Sequence, residues 1–290
     1  MIDIPPFGYM GRTAHLSRPW VVPPMTAILF VNPRSGSSAP SAAELRAEAE
    51  HSGVGVHELG PDDDLVALAR EADAEVLGMA GGDGSLGAVA SVAIERDLPF
   101  VCIPFGTRNH FARDAGLDRD DPMAALAAFA NGVERRVDVG RVGDRLFLNN
   151  VSLGLYARLV HRRERHRRRR DALAKLRAFA LVARDHHGAQ QFEIDGETVR
   201  TRVVLVACNA YSLGPFSIGE REELDGGQLH LYVSHGLIRR EWRDRSAAEL
   251  TIDAKGHRVR AAIDGEPVAL ETPLEFRVEP QALRLLVPHG

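Results

Sequence analysis

Cysteine is scarce in this chain: two residues in 290, Cys102 in "FVCIP" and Cys208 in "LVACNA". Both sit in apolar, strand-like runs, so they read as buried free thiols rather than a disulfide or a metal site, which favours a reducing compartment. No apolar run approaches the roughly 18 residues that would span a bilayer. The opening "MIDIPPFGYMGRTAHLSRPWVVPPM" has no basic segment followed by an apolar one, and its prolines break any helix. Residues 1–25 are therefore expected to form a proline-rich arm on a cytoplasmic chain, with any membrane contact peripheral, at the inner surface. An excess of one charge is also missing: 36 Lys and Arg stand against 40 Asp and Glu, a net charge of −4. That balance gives no chain-wide attraction to nucleic acid, and none is expected as a partner.

What the chain has, from about residue 26, is alternation. "TAILFV", "GVHEL", "AEVLGMA" and "FVCIP" read as strands. "SAAELRAEAEHSG", "PDDDLVALAREAD", "SLGAVASVAIERD" and "DDPMAALAAFANG" between and after them read as helices. The first helix opens on a capping box, Ser41 to Glu44, and closes at Gly53. The second has acids in its first turn, where the helix dipole favours them. Strands separated by helices of this length imply a doubly wound parallel α/β domain over 26–136. After about residue 137 the runs are short and alternating, punctuated by Gly-Asp, Asp-Gly and Lys-Gly pairs that suit hairpins. A second, antiparallel β-rich, sandwich-like domain is expected over 137–290. Asp-Gly at 225–226 and at 264–265 both read as hairpin turns.

Three conspicuous loops follow strands of the first half: "NPRSGS" (32–37), "GGDGS" (81–85) and "PFGTRN" (104–109). In a parallel sheet these ends share one edge, where ligands bind. Gly81, Gly82 and Gly84 let the backbone approach a ligand closely, and the helix starting near Ser85 offers free N–H groups to an anion. Gly82, Gly84 and Gly87 also satisfy G-x-G-x-x-G, but no acid follows about 20 residues on to hold a ribose, and no Gly-Lys-Ser/Thr makes a Walker loop. An aspartate inside the turn would repel bare pyrophosphate and makes sense with Mg²⁺ between carboxylate and phosphate, as phosphoryl transfer requires. Asp83 thus points to a kinase; the other reading, a helix cap, stays open beside it.

With "VNPRSG", "GGDGS", "PFGTRNHFA" and a later "DGEP" in this order, ending in "ALRLLVP", the chain resembles the diacylglycerol kinase catalytic-domain family. That family includes bacterial lipid kinases and sphingosine kinases and is distantly related to NAD kinases and phosphofructokinases. The resemblance covers roughly residues 26–290. It implies a lipid kinase using ATP and Mg²⁺, with the nucleotide in a cleft between the two domains. The phosphates would lie along Asn32, Pro33, Arg34, Ser35 and Gly36, along Gly81, Gly82, Asp83, Gly84, Ser85, Leu86 and Gly87, and at Thr107 and Asn109. Asp83 would help hold the catalytic Mg²⁺, and Glu266 would be the base that takes the proton of the lipid hydroxyl. A structural Mg²⁺ would sit at Asp225 with Glu222 and Gly227. Arg34 and Arg108 are candidate phosphate cations from their place in the loops.

The chain departs from the family pattern at Ser85, Gly87 and Ala88, where "GGDGT-x-N-E" is usual, at His110, where an aspartate is usual, and at Leu59, where a threonine is often found. Two rivals follow: an NAD kinase-like enzyme, although Asn150 in "FLNNV" stands where that family has an acid, and a catalytically weak nucleotide- or lipid-binding regulatory member. The run "HRRERHRRRR" (161–170) before an amphipathic segment suits an anionic lipid surface, and equally a solvated face. A homodimer through edge strands of the β-rich half is a further expectation.

Overall fold

The structure, a computed structural model, describes residues 26–35, 40–154, 189–213, 218–221, 223–234 and 242–289. The arm at 1–25, Gly36, Glu222 and the basic run with the amphipathic segment behind it lie outside these residues.

Four parallel strands open the fold: β1 (Ala27–Val31), β2 (Gly55–Glu58), β3 (Val76–Gly81) and β4 (Phe100–Pro104), in the order β2-β1-β3-β4. The connecting helices are α1 (Ala42–His51), α2 (Leu65–Glu71) and α3 (Asp83–Glu95). Three short ones follow β4: α4 (His110–Asp114), α5 (Pro122–Ala125) and α6 (Ala128–Asn131). Side-chain alternation sorts the apolar residues to two faces. Leu29, Val31, Ala80, Val101 and Ile103 pack with Leu45 of α1 and Ala125 of α5. Phe30, Leu77, Met79, Phe100 and Cys102 pack on the other face with Ala69 of α2 and Leu86 and Val89 of α3. Every residue of β3 and β4 is buried, as strands covered on both sides must be.

The capping box of α1 is formed: the Glu44 N–H donates to Ser41 Oγ and the Ser41 N–H to Glu44 Oε2. The acids before α2 act from outside its first turn instead of within it. Asp64 caps the Val66 and Ala67 amides, and Asp63 accepts from Gly60 N. The expected single helix over "DDPMAALAAFANG" is broken into α5 and α6 by tight turns such as Phe129 N to Leu126 O, which bring the Phe129 ring against Gly78.

The second half is antiparallel. Its strands are β5 (Val133–Val142), β6 (Arg145–Phe147), β7 (Asn150–Gly154), β8 (Gln190–Ile194), β9 (Glu197–Thr201), β10 (Val203–Cys208), β11 (Tyr211–Leu213), β12 (Ile218–Arg221), β13 (Leu229–Ser234), β14 (Trp242–Ala247), β15 (Glu249–Ala254), β16 (Arg258–Ile263), β17 (Glu266–Glu271) and β18 (Leu274–Val287). Six of them form one sheet, β14-β13-β10-β7-β16-β17. It packs on a second layer through a core that interleaves Val151, Leu153, Val204, Val206, Leu229 and Leu231 with Phe192, Ile194, Leu250, Ile252, Phe276 and Val278. This is the expected sandwich-like arrangement.

That second layer is continuous with the parallel sheet, because β18 belongs to both halves. Its later part lies parallel to β4 (Leu285 opposite Phe100), and its earlier part lies antiparallel to β15 (Phe276 opposite Leu250). β5 pairs with it from Phe276 to Val287 across a bulge between Glu279 and Leu283. The junction expected after residue 136 falls inside β5, and β18 adds 274–287 to the sheet of the first half.

Two expected hairpins are not hairpins. Lys255-Gly256 links β15 to β16, which lie in different sheets, and Asp225-Gly226 links β12 to β13, which also lie apart. The 225–226 loop is held by a buried residue remote in sequence: Asp138 accepts from Gly227 N and Asn209 Nδ2. Asp264-Gly265 is a hairpin turn between β16 and β17. Both cysteines are buried and free. Among the described residues, no helix is long and apolar enough to cross a membrane.

Candidate active site

The loops after β1, β3 and β4 leave one sheet edge and meet. Asn32 N donates to Ala80 O, Phe105 N to Gly81 O, and a methyl built on Gly106 would stand 2.6 Å from Gly82 Cα. The glycines serve different neighbours. Gly81 must be bare because Ser85 Oγ lies against it, and Gly106 because Gly82 does. Gly82 alone of the GGDG turn faces open space: a methyl there would meet nothing within 4 Å. It is also the N-cap of α3, with no side chain capping the helix.

The fourth segment arrives from the β-rich half. A methyl on Gly84 would stand 2.5 Å from Glu266 Cγ, one on Gly87 would stand 3.8 Å from Asp264 Oδ2, and one on Gly265 would stand 3.4 Å from Arg108 Nη1. The Asp264–Glu266 turn therefore rests on the first turns of α3 and beside the loop after β4. Glu266 is exposed at its outer side.

Asp83 is buried and does cap a helix, but not its own. Its Oδ1 accepts from Phe111 N (3.1 Å) and its Oδ2 from His110 N (3.3 Å), the first amides of α4. It thereby fastens the loop after β3 to the loop after β4. Burial holds the His110 imidazole below its ordinary pKa, against the pull of the Asp83 carboxylate, with Arg113 and Arg108 adding to the lowering. Asn109 adopts a left-handed backbone (φ 48°), and its carboxamide closes a ring with Gly106, accepting from Gly106 N and donating to Gly106 O. Its side chain thus shapes the loop. Thr107 and Arg34 are exposed, Asn32 accepts from Arg34 N, and Ser35 N donates to Asn32 O. Pro33 lies in that same turn. Leu86 is wholly buried in the core, so it can offer a ligand only its backbone. Leu59 is buried too.

Asp264 turns its carboxylate inward although the residue keeps some open surface. Oδ2 accepts from Leu148 N (2.8 Å), and Oδ1 from Asn149 N (2.8 Å) and Asn150 N (3.0 Å). Burial pushes its pKa up to about 7; these amides pull it down, and the Asp83 charge adds to the rise. Asp225 is exposed, and Gly227 is tied through its amide to Asp138, which also accepts from Gln281 N. Glu222 lies outside the described residues, among which no three His, Cys, Asp or Glu cluster to hold a metal.

Arg221 gave no sign of itself in "GEREEL". Its side chain is buried and donates to Asp114 Oδ2 of α4 (2.8 Å), to Leu148 O (2.7 Å), to Cys208 O (3.1 Å) and to Asn149 Oδ1 (2.7 Å), with Tyr211 stacked beneath it. Asp138 and Asp264 had a faint signal, a lone acid inside an apolar strand pattern and an acid preceding the turn glycine.

Residues 26–142 match the model of the diacylglycerol kinase catalytic domain. This segment belongs to the diacylglycerol kinase catalytic-domain family. A diacylglycerol kinase of Bacillus subtilis (strain 168) is 29% identical over 144 residues, 47% of this chain and 48% of that protein. A diacylglycerol kinase of Mycobacterium tuberculosis (strain CDC 1551 / Oshkosh) is 34% identical over 122 residues, 40% of each. The match thus spans half or less of those two relatives. A protein of Klebsiella pneumoniae (strain 342) named "Probable lipid kinase YegS-like" is 25% identical over 291 residues, 90% of this chain and 96% of that protein. In fold, the chain is similar to the crystal structure of a diacylglycerol kinase from Bacillus anthracis str. Sterne, with a TM-score of 0.67 at 17% identity, covering 90% of this chain and 96% of that one. The family segment ends at the last residue of β5, so Asp264, Glu266 and Arg221 all lie beyond it.

Proposed function

We propose that this chain is a lipid kinase that transfers the γ-phosphate of ATP to a hydroxyl of a diacylglycerol-like or sphingoid-like lipid. The observation that carries the reading is the meeting of Glu266 with Gly84, which sets an exposed carboxylate beside a glycine turn that opens, at Gly82, onto free space at a helix N-terminus. That space suits a phosphate: it is unobstructed, and the uncapped first amides of α3 with their dipole favour an anion. Mg²⁺, which takes one or two carboxylates and the phosphates themselves, would neutralise charge across the β- and γ-phosphates. Asp83 would hold it, because each of its oxygens accepts one amide and retains a lone pair.

Glu266 would take the proton of the lipid hydroxyl as that oxygen bonds to the γ-phosphorus and the bond to the bridging oxygen of ADP breaks. Arg108, beside Gly265, would face the transferring group. Asp225, with the backbone of Glu222 and Gly227, would carry a structural Mg²⁺ at the loop that Asp138 shapes. The acceptor would be drawn from a membrane surface, with the basic run at 161–170 held against anionic lipid.

The test is transfer of labelled γ-phosphate from ATP with Mg²⁺ to a panel of diacylglycerols, sphingoid bases, phosphatidylglycerol and NAD, with Glu266→Gln in parallel. A labelled lipid that falls by about 100-fold or more in the variant is expected. An undiminished rate in the variant would remove Glu266 from the chemistry, and label on NAD alone would replace the lipid acceptor.

A further inference from the structure

We propose that Arg221 is a positioning residue of this site, a buried side chain that locks the Asp83 arm to the Asp264–Glu266 arm. The inference rests on the reading of the site given above. The two arms come from different halves of the chain. On one, Asp83 holds the first amides of α4, and α4 ends at Asp114, whose carboxylate Arg221 grips at 2.8 Å. On the other, the Asp264 carboxylate is held by the amides of Leu148, Asn149 and Asn150. Arg221 binds that same turn from its opposite side, through Leu148 O and Asn149 Oδ1.

The planar guanidinium suits this task because its five donors leave in fixed directions. Four acceptors on α4, the 148–149 turn and β10 are each met at 2.7 to 3.1 Å. The ring of Tyr211 covers the group at 5.7 Å, and the Tyr211 hydroxyl accepts from Asn150 Nδ2, a second tie to the same turn. Both ions are out of water, with side chains 1% and 0% exposed, so the pair cannot slide to a solvated alternative. Lysine, a point charge with three donors, cannot span the four acceptors. Arg221 itself touches no candidate reacting group; it acts through α4 and the 148–150 turn.

Removing Asp114 alone would strand the buried Arg221 guanidinium, whereas Asp114 without Arg221 keeps Arg113 Nη2 at 2.7 Å, so the deciding variant removes both: Arg221→Met with Asp114→Leu, which leaves Arg113 its ion pair with Glu220 at 3.4 Å. Arg221→Lys is studied beside it. The readout is amide hydrogen exchange in the full chain. Expected in both variants is exchange at least tenfold faster at His110 and Phe111 and also at Leu148, Asn149 and Asn150, with Val204, Val206 and Leu231 of the sandwich core unchanged. Under the kinase reading, kcat falls at least tenfold while the KM for ATP stays within about twofold. Protection retained at either amide set would overturn the inference, and so would acceleration spread evenly through the core, which would mark a merely structural ion pair. A wild type that transfers no phosphate in the panel described above would sink the kinase reading and leave the exchange result to decide the role of Arg221.

Discussion

Asp264 sits where burial and hydrogen bonding pull in opposite directions. Its carboxylate is enclosed, which favours the protonated form, and it accepts three backbone amides, which favours the charged one; burial prevails and the pKa lies at about 7. The folded protein therefore keeps a proton that the unfolded chain releases near the ordinary value of 3.8. The stabilisation is complete below that value, and it is lost as pH rises through the folded pKa. Asp264→Asn should remove this fall. Between pH 5 and pH 7.5, wild type should lose about 1–3 kcal/mol more than the variant in urea unfolding. Parallel pH profiles for the two proteins would show that Asp264 is ionised throughout. Glu266 differs: its side chain is exposed, and it is its approach to Gly84 that makes it the candidate base.

At the scale of the turn, the glycines separate packing from binding. Gly106→Ala would press a methyl onto the Gly82 backbone, which has no rotamer to yield, and should cost about 1–3 kcal/mol. Gly82→Ala meets nothing, and its φ of −86° suits alanine, so the cost should stay within about 1 kcal/mol, the worth of an N-cap change. The same methyl would occupy the space assigned to phosphate, and ATP affinity should fall at least tenfold. Thermal melts and an ATP titration of both variants distinguish the roles; a Gly82→Ala protein with unaltered ATP affinity would move the phosphate elsewhere.

Elements with local causes were legible in the sequence: the four parallel strands from apolar runs, α1 from its Ser41–Glu44 box, and the meeting of three loops from the rule that like strand ends share an edge. Elements fixed from a distance were not. Asp-Gly suits any loop that needs a positive φ, which at 225–227 falls on Gly227, and the pairing partners of β12 and β13 decide that no hairpin forms. Asp83 looked like a cap for its own helix because α4 begins so far along the chain.

For the whole molecule, the strand that joins the halves matters most. Leu283 and Leu285 of β18 are fully buried in the core shared with Phe100 and Leu77, and β5 pairs along nearly the whole strand. The family segment 26–142 contains β4 and β5 but not the strand between them. Made alone, that fragment should show no cooperative urea transition, whereas residues 26–290 should unfold in a single step. A fragment that folds cooperatively would show that the parallel sheet closes without β18. No local pattern in "LEFRVEPQALRLLV" announces this double membership, since pairing with β4 across so much chain leaves no trace in neighbouring residues.

The placement of β18 also sets an order of events in the cell. During synthesis the parallel sheet stands one strand short, with the edge of β4 and its apolar flank open, until the ribosome has passed residue 287. The glycine turn and the α4 arm can form early, but Glu266 reaches Gly84 only when the second half has been made. The loops proposed to bind phosphate and the carboxylate proposed to activate the acceptor are thus brought together late, and a prematurely ended chain carries an exposed sheet edge for chaperones to cover.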